Sequence, residues 1–133
     1  MFLGKTACKL DAKGRLIVYS KFREQINEQS LIISRIHDDH LILLLESELS
    51  SEIEKIEAED RPRKEKEDIL RYLCGNSEYV NMDSQGRITI PKIFIEHAQL
   101  SNKVVQVGKE NKIEIWDETR WSESQNGNVG IKI

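Results

Sequence analysis

The loop Asp11-Ala-Lys-Gly-Arg15 recurs as Asp83-Ser-Gln-Gly-Arg87, and the match continues at one constant offset without a gap. Phe22 aligns with Phe94 and Glu24 with Glu96. Leu31-Ile-Ile33 aligns with Lys103-Val-Val105, and Leu41-Ile-Leu-Leu44 with Ile113-Glu-Ile-Trp116. A register held over so many positions means two copies of one small unit, and such a repeat governs how everything else is read. Each copy spans roughly 45 residues, too few to bury a sufficient core alone. The repeat therefore predicts two halves that share one core.

Within each copy a short strand (around Thr6–Leu10 and Glu78–Met82) leads into the Asp-x-x-Gly-Arg loop, and a second strand follows (Arg15–Val18 and Arg87–Ile90). Gly14 and Gly86 are the turn-forming residues, because glycine takes positive φ without steric cost. The preceding Asp can accept backbone N–H groups two residues on. One or two helical turns come next, Ser20–Asn27 and Pro91–Ala98, with Ser20 as an N-cap and Pro91 near the first helical position. Strands Leu31–Ile36 and His40–Leu45, then Lys103–Val107 and Lys112–Trp116, close the units. Their dense Ile, Leu and Val with little alternation predicts cover on both faces.

Between the copies the period changes. Leu49, Ile53 and Ile56 describe a helix from about Ser47 to Ala58, and Asp60-Arg61-Pro62 opens a second helix bearing Ile69, Leu70 and Leu73. The domain reading is residues 5–50 for the first module, 51–76 for a helical connector, 77–122 for the second module and 123–133 for a flexible tail. The fold class expected is α+β and β-rich.

Catalysis finds no support in the pattern. No P-loop, G-x-S-x-G, H-E-x-x-H or G-x-G-x-x-G string is present. His37-Asp-Asp-His40 clusters imidazoles with carboxylates, but in a turn these side chains are expected to splay toward water, and the other copy has Lys109-Glu-Asn111 there. No metal, cofactor or small-molecule substrate is expected. Cys8 and Cys74 form no CxxC pair and read as one thiol in a strand and one on a helix. With no long apolar run, the chain is expected to be cytoplasmic and without a membrane partner.

Net charge is −3, which excludes a uniformly basic nucleic-acid binder. The distribution is uneven, however: Lys5, Lys9, Lys13, Arg15, Lys21 and Arg23 crowd the first 23 residues beside the lone acid Asp11, while residues 46–68 are rich in Glu. One end can thus face a polyanion. The loops have two readings. In one, Asp shapes the turn and Arg merely pairs with it. In the other, Asp orients an Arg that bonds guanine O6 and N7 in a major groove, which is worth about 1–3 kcal/mol of discrimination. In this second reading Asp11, Lys13, Arg15, Asp83, Gln85 and Arg87 contact DNA, and Lys5, Lys9, Lys21 and Arg23 supply phosphate contacts. Phe22, Phe94, Trp116 and Trp121 read as core or subunit contacts.

Several segments together resemble the MraZ family: Met1-Phe-Leu-Gly4, Leu10-Asp-Ala-Lys-Gly-Arg-Leu16, Ser20-Lys-Phe-Arg-Glu24, Asp83-Ser-Gln-Gly-Arg-Ile88, Ile90-Pro91, Glu114-Ile-Trp-Asp117 and Arg120-Trp121. The resemblance covers Met1 to about Trp121. It implies tandem AbrB-type swapped-hairpin β-barrel modules in a transcriptional regulator associated with the nucleoid. It also implies repression of the bacterial division and cell-wall gene cluster, binding to guanine-rich direct repeats of double-stranded DNA, and a ring-shaped homo-oligomer. DNA contact is assigned by the resemblance to Asp11, Arg15, Asp83 and Arg87. The chain departs from the family at Tyr19, where proline is usual, and at His37-Asp-Asp-His40, where a small glycine-containing turn is usual. An antitoxin-like AbrB-type protein and a ring scaffold that binds no DNA are the competing functions.

Overall fold

A computed structural model of the chain describes residues 1–27, 30–127 and 130. The first half runs β1 (Lys5–Lys9), β2 (Arg15–Ile17), α1 (Ser20–Arg23), β3 (Ser30–Ser34) and β4 (Leu41–Leu45). Helices α2 (Glu46–Ala58) and α3 (Arg63–Gly75) follow. The second half repeats the order with β5 (Ser77–Asn81), β6 (Arg87–Thr89), α4 (Lys92–Ala98), β7 (Lys103–Lys109) and β8 (Lys112–Asp117), then α5 (Glu118–Gln125). The architecture is α+β around a large antiparallel sheet, as expected.

The strands do not stay within their halves. A six-stranded sheet has the order β1-β7-β8-β4-β3-β5, and β2 pairs only with β6. Each half's first strand thus lies against the other half's third, with Thr6 opposite Gln106 and Tyr79 opposite Ile32. Exchanging every strand for its repeat counterpart reverses the order and leaves it unchanged. The axis of this pseudo-two-fold passes where equivalent residues face each other, at Ile42–Glu114 and at Leu16–Ile88. The ranges 5–50 and 77–122 are therefore sequence copies whose strand pairing crosses both boundaries. The reason is the one the length implied: neither copy closes a core by itself.

That core is shared. Leu16, Val18, Phe22, Leu41 and Leu43 are buried with their equivalents Ile88, Ile90, Phe94, Ile113 and Ile115. On the other sheet face Ile32, Ile42 and Leu44 form a second cluster with Ile36 and Leu49. Apolar residues on both faces of β3 and β4 account for their unbroken hydrophobic run. The helical hairpin is joined by Arg63, whose two Nη groups donate to Glu57 at 2.9 and 2.8 Å. Cys8 lies in β1 and Cys74 in α3, both free.

Several boundaries differ from expectation. Tyr19, not Ser20, holds the N-cap position of α1, and its backbone (φ −51, ψ 131) matches that of Pro91 before α4 (φ −58, ψ 143). Helix α2 begins at Glu46, one residue before the start expected at about Ser47. Helix α5 runs to Gln125, and at its start the Asp117 carboxylate accepts from Thr119 N–H at 3.1 Å and caps it. Of the tail read at 123–133, residues 128, 129 and 131–133 lie outside the described residues. Among the described residues no helix is long and apolar enough to cross a membrane.

Candidate nucleic-acid interface

The two repeated loops have one geometry. Asp11 Oδ1 accepts the backbone N–H groups of Lys13 at 2.9 Å and Arg15 at 2.8 Å, and Oδ2 accepts Arg15 Nε at 2.7 Å. Asp83 does the same with Gln85 N–H at 2.9 Å, Arg87 N–H at 2.9 Å and Arg87 Nε at 2.8 Å. Gly14 and Gly86 stand at φ +78 and +81, conformations that L side chains rarely adopt. A Cβ at Gly14 would also come within 3.0 Å of the Ile90 carbonyl oxygen. The backbone N–H of Arg15 is the largest influence holding the Asp11 carboxyl below its usual range, and that of Arg87 does the same for Asp83. Both carboxylates are therefore ionised at neutral pH and grip Nε.

This grip leaves the outer edge of each guanidinium free. Among the described residues, no Nη of Arg15 or Arg87 has a hydrogen-bond partner. The Arg side chains are 34% and 29% exposed, so both can reach a ligand. Two readings of the loops were open, and the geometry satisfies the structural one while leaving the chemistry of the other available.

Sequence pattern alone suggests a ribbon made by each loop's own flanking strands. The structure builds it differently. Strands β1 and β2 form no ladder with each other; the chain around the loop is tied by the isolated Leu10–Leu16 bridge and by Asp11 N–H donating to the Arg15 carbonyl, and the ribbon is β2 paired with β6. Arg15 lies opposite Thr89 and Arg87 opposite Ile17, with Leu16 and Ile88 turned into the core. Alternation then puts Arg15, Ile17, Arg87 and Thr89 on the outer face. From strand rise and spacing, the two Arg Cα atoms are roughly 8 Å apart, within the ~12 Å width of a major groove. Ile17, 54% exposed, lies directly opposite Arg87 and two residues along from Arg15 on the same face.

The remaining candidates scatter. Lys13, Gln85 and Lys21 are exposed near the loops, and Lys21 lies 6.0 Å from the Tyr19 ring centre. Lys5 and Lys9 are exposed on the edge strand β1, a different element from the ribbon. Arg23 is half-buried.

Pattern reading missed a residue that holds the ribbon. Gln106, 1% exposed on β7, donates from Nε2 to the Ile17 carbonyl at 2.9 Å and accepts the Tyr19 N–H at Oε1 at 3.0 Å. It clamps the backbone on both sides of Val18, where β2 leaves the ribbon. The equivalent of Tyr19 is Pro91, which has no N–H to satisfy, and the equivalent of Gln106 is Ser34. The available signal was this Tyr-for-Pro difference, which creates a donor on one side only.

The histidine turn also departs from expectation. His40 is buried at 7% exposure, not splayed into water. Its ring stacks on Trp116 at 4.4 Å and on His37 at 4.5 Å, with Nδ1 2.7 Å from Asp39 Oδ1. Nε2 lies 3.2 Å from Glu114 Oε2, an ion-pair distance. Burial works against the charged ring, but the two carboxylates outweigh it and raise its pKa. Among the described residues, no group of three or more His, Cys, Asp or Glu side chains could hold a metal.

The doubled Asp/Arg latch with its shared ribbon has clear relatives. The family profile described as "MraZ protein, putative antitoxin-like" matches residues 1–72 and again 73–127. The chain belongs to the MraZ family. It is 36% identical to a protein named transcriptional regulator MraZ from Pediococcus pentosaceus, over 93% of this chain and 86% of that one. It is 38% identical to the one from Ligilactobacillus salivarius, over 91% and 84%. Identity to the Enterobacter sp. protein of the same name is 35%, over 91% and 82%. MraZ relatives of this kind are transcriptional regulators, and the chain is not an enzyme.

Proposed function

We propose that the chain is a sequence-specific DNA-binding regulator that reads duplex DNA with the outer face of the β2–β6 ribbon. One observation carries this reading: two arginines on one exposed face, each held at Nε by its own Asp, with both Nη groups unpartnered among the described residues. A guanidinium pre-oriented by a carboxylate loses less freedom on binding and offers a planar donor pair for guanine. Lys13, Gln85, Lys21 and Arg23 supply neighbouring contacts to phosphate, with Lys5 and Lys9 farther along the basic face.

The exchange of β1 and β5 between halves supports AbrB-type swapped-hairpin modules. One ribbon gives few contacts on a chain of net charge −3, so a ring that repeats the ribbon at fixed spacing supplies the missing affinity. Guanine-rich direct repeats upstream of the division and cell-wall genes are the target, repression by promoter occlusion is the output, and nucleoid association follows. The alternative of an antitoxin-like partner role rests only on the wording of the family description.

The experiment is a fluorescence anisotropy titration of duplexes carrying guanine-rich direct repeats from upstream of the gene, against a scrambled duplex. Arg15→Ala and Arg87→Ala are each expected to lose about 5- to 150-fold in specific affinity while retaining the oligomer, as one guanine contact is worth about 1–3 kcal/mol. Unchanged binding by both variants would leave the latch a structural feature and sink the reading.

A further inference from the structure

The two loops share a sequence pattern, yet the side chain packed against each glycine differs. A Cβ built on Gly86 would lie 2.7 Å from Arg23 Cδ and 2.9 Å from Arg23 Cζ. The Arg23 side chain therefore lies across the Gly86 face of the second loop, although Arg23 follows the first loop in sequence. At Gly14 the same place is taken by Ile95, whose Cδ1 would be 3.2 Å from the built Cβ. Arg23 and Ile95 are repeat equivalents, so the pseudo-symmetry is broken at one position by a charge.

Arg23 is also unsatisfied. Its Nε is buried without a hydrogen-bond partner, and among the described residues its guanidinium forms no ion pair. Arg15, Arg87, Arg61, Arg63 and Arg71 each meet a carboxylate. Arg35 shares the buried Nε but lies 5.4 Å from the Phe94 ring centre, a cation–π position. The buried Nε is closed to an outside anion, so an anion completing this guanidinium meets the Nη groups, which have no hydrogen-bond partner among the described residues and, unlike Nε, are not buried.

The missing charge in the second loop matches. The first loop carries Lys13 beside Arg15, while the second has Gln85 beside Arg87. We propose that Arg23 is the second cation of the Asp83–Arg87 loop, contacting a phosphate of the same duplex, so that the loops bind through Lys13 with Arg15 and through Arg23 with Arg87. This rests on the DNA-binding reading above and assigns a role across the pseudo-axis that sequence proximity would give to the first loop.

The test is a double-mutant cycle on duplex affinity measured across salt. Arg23→Ile copies the other half and preserves the packing on glycine, which equal thermal unfolding confirms. Each phosphate contact contributes about 0.9 to the salt slope. From about 50 to about 200 mM salt, the unaltered chain should then lose about threefold more affinity than Arg23→Ile. The effect should vanish in an Arg87→Ala background and persist in Arg15→Ala. Coupling to Arg15 instead, or an unchanged slope, overturns the assignment. If millimolar inorganic phosphate raises the melting temperature of the free protein only when Arg23 is present, and duplex affinity is unaffected, the site takes a free anion and the duplex assignment fails. Absence of duplex binding by the unaltered chain would sink both readings, whereas binding that Arg23→Ile leaves intact sinks this one alone.

Discussion

Replacing Gln106 by Leu keeps the side chain's bulk and removes both ends of the clamp on β2. The Tyr19 N–H, 3.0 Å from Oε1, and the Ile17 carbonyl, 2.9 Å from Nε2, then lose their partners. The surroundings are dry on the core side, since Val18 is 0% and Gln106 1% exposed. Each orphaned backbone group costs about 1–3 kcal/mol. A surface notch lined by Cys8, Ile17 and Tyr19 admits water to one side and pulls the total toward the lower end. The expected loss is about 3 kcal/mol, or roughly 10 °C in melting temperature for a chain of this size. Protein concentration must be matched, because assembly shifts apparent stability. The decisive arm is the same substitution in a Tyr19→Pro background. Proline suits this position, where φ is −51 and where the other half carries Pro91. It removes the N–H, so Gln106→Leu should cost about 1–3 kcal/mol less there. Equal destabilisation in both backgrounds, measured by chemical unfolding, would refute the claim that Gln106 exists to satisfy Tyr19.

Three further outcomes are expected. Asp11→Asn keeps an acceptor for the Lys13 and Arg15 N–H groups but not for Nε; duplex affinity should fall about two- to tenfold from the lost ordering of Arg15, with unfolding unchanged. Gly86→Ala forces a side chain to φ +81 and against Arg23; unfolding should show a loss of about 1–3 kcal/mol, only partly relieved by Arg23→Ile because the backbone strain remains. For His40 the folded pKa is raised above 6.5, so its contribution is complete below that value and fades as pH rises through the folded pKa. His37, pushed down chiefly by burial and then by its cationic neighbour His40, acts in the opposite sense, and Lys109 adds to it. The measurement therefore compares the pH slope of stability of the unaltered chain with that of His40→Gln, which should lack the decline toward alkaline pH.

Much of the candidate site is legible in the residues themselves. The Asp/Arg latch, the positive φ of Gly14 and Gly86 and the shared core followed from contacts within five residues and from the smallness of each copy. Where expectation failed, the partner was distant in sequence. The sequence of the histidine turn predicts a solvated loop because nothing local indicates that Trp116 and Glu114 close over His40. Local pattern points to the wrong pair of strands for the ribbon, because it gives a strand's faces but not its neighbour.

Sequence by itself determined the duplication, the chemistry of each loop and the backbone conformations it needs, since all of these are settled by short-range sterics and hydrogen bonds. Only the tertiary structure decided that β2 would pair with β6, that Arg23 would cross to the second loop, and that Gln106 would hold the ribbon's exit. Those choices follow from burying two half-sized apolar surfaces at once, and that collective requirement leaves no mark on any short stretch of chain.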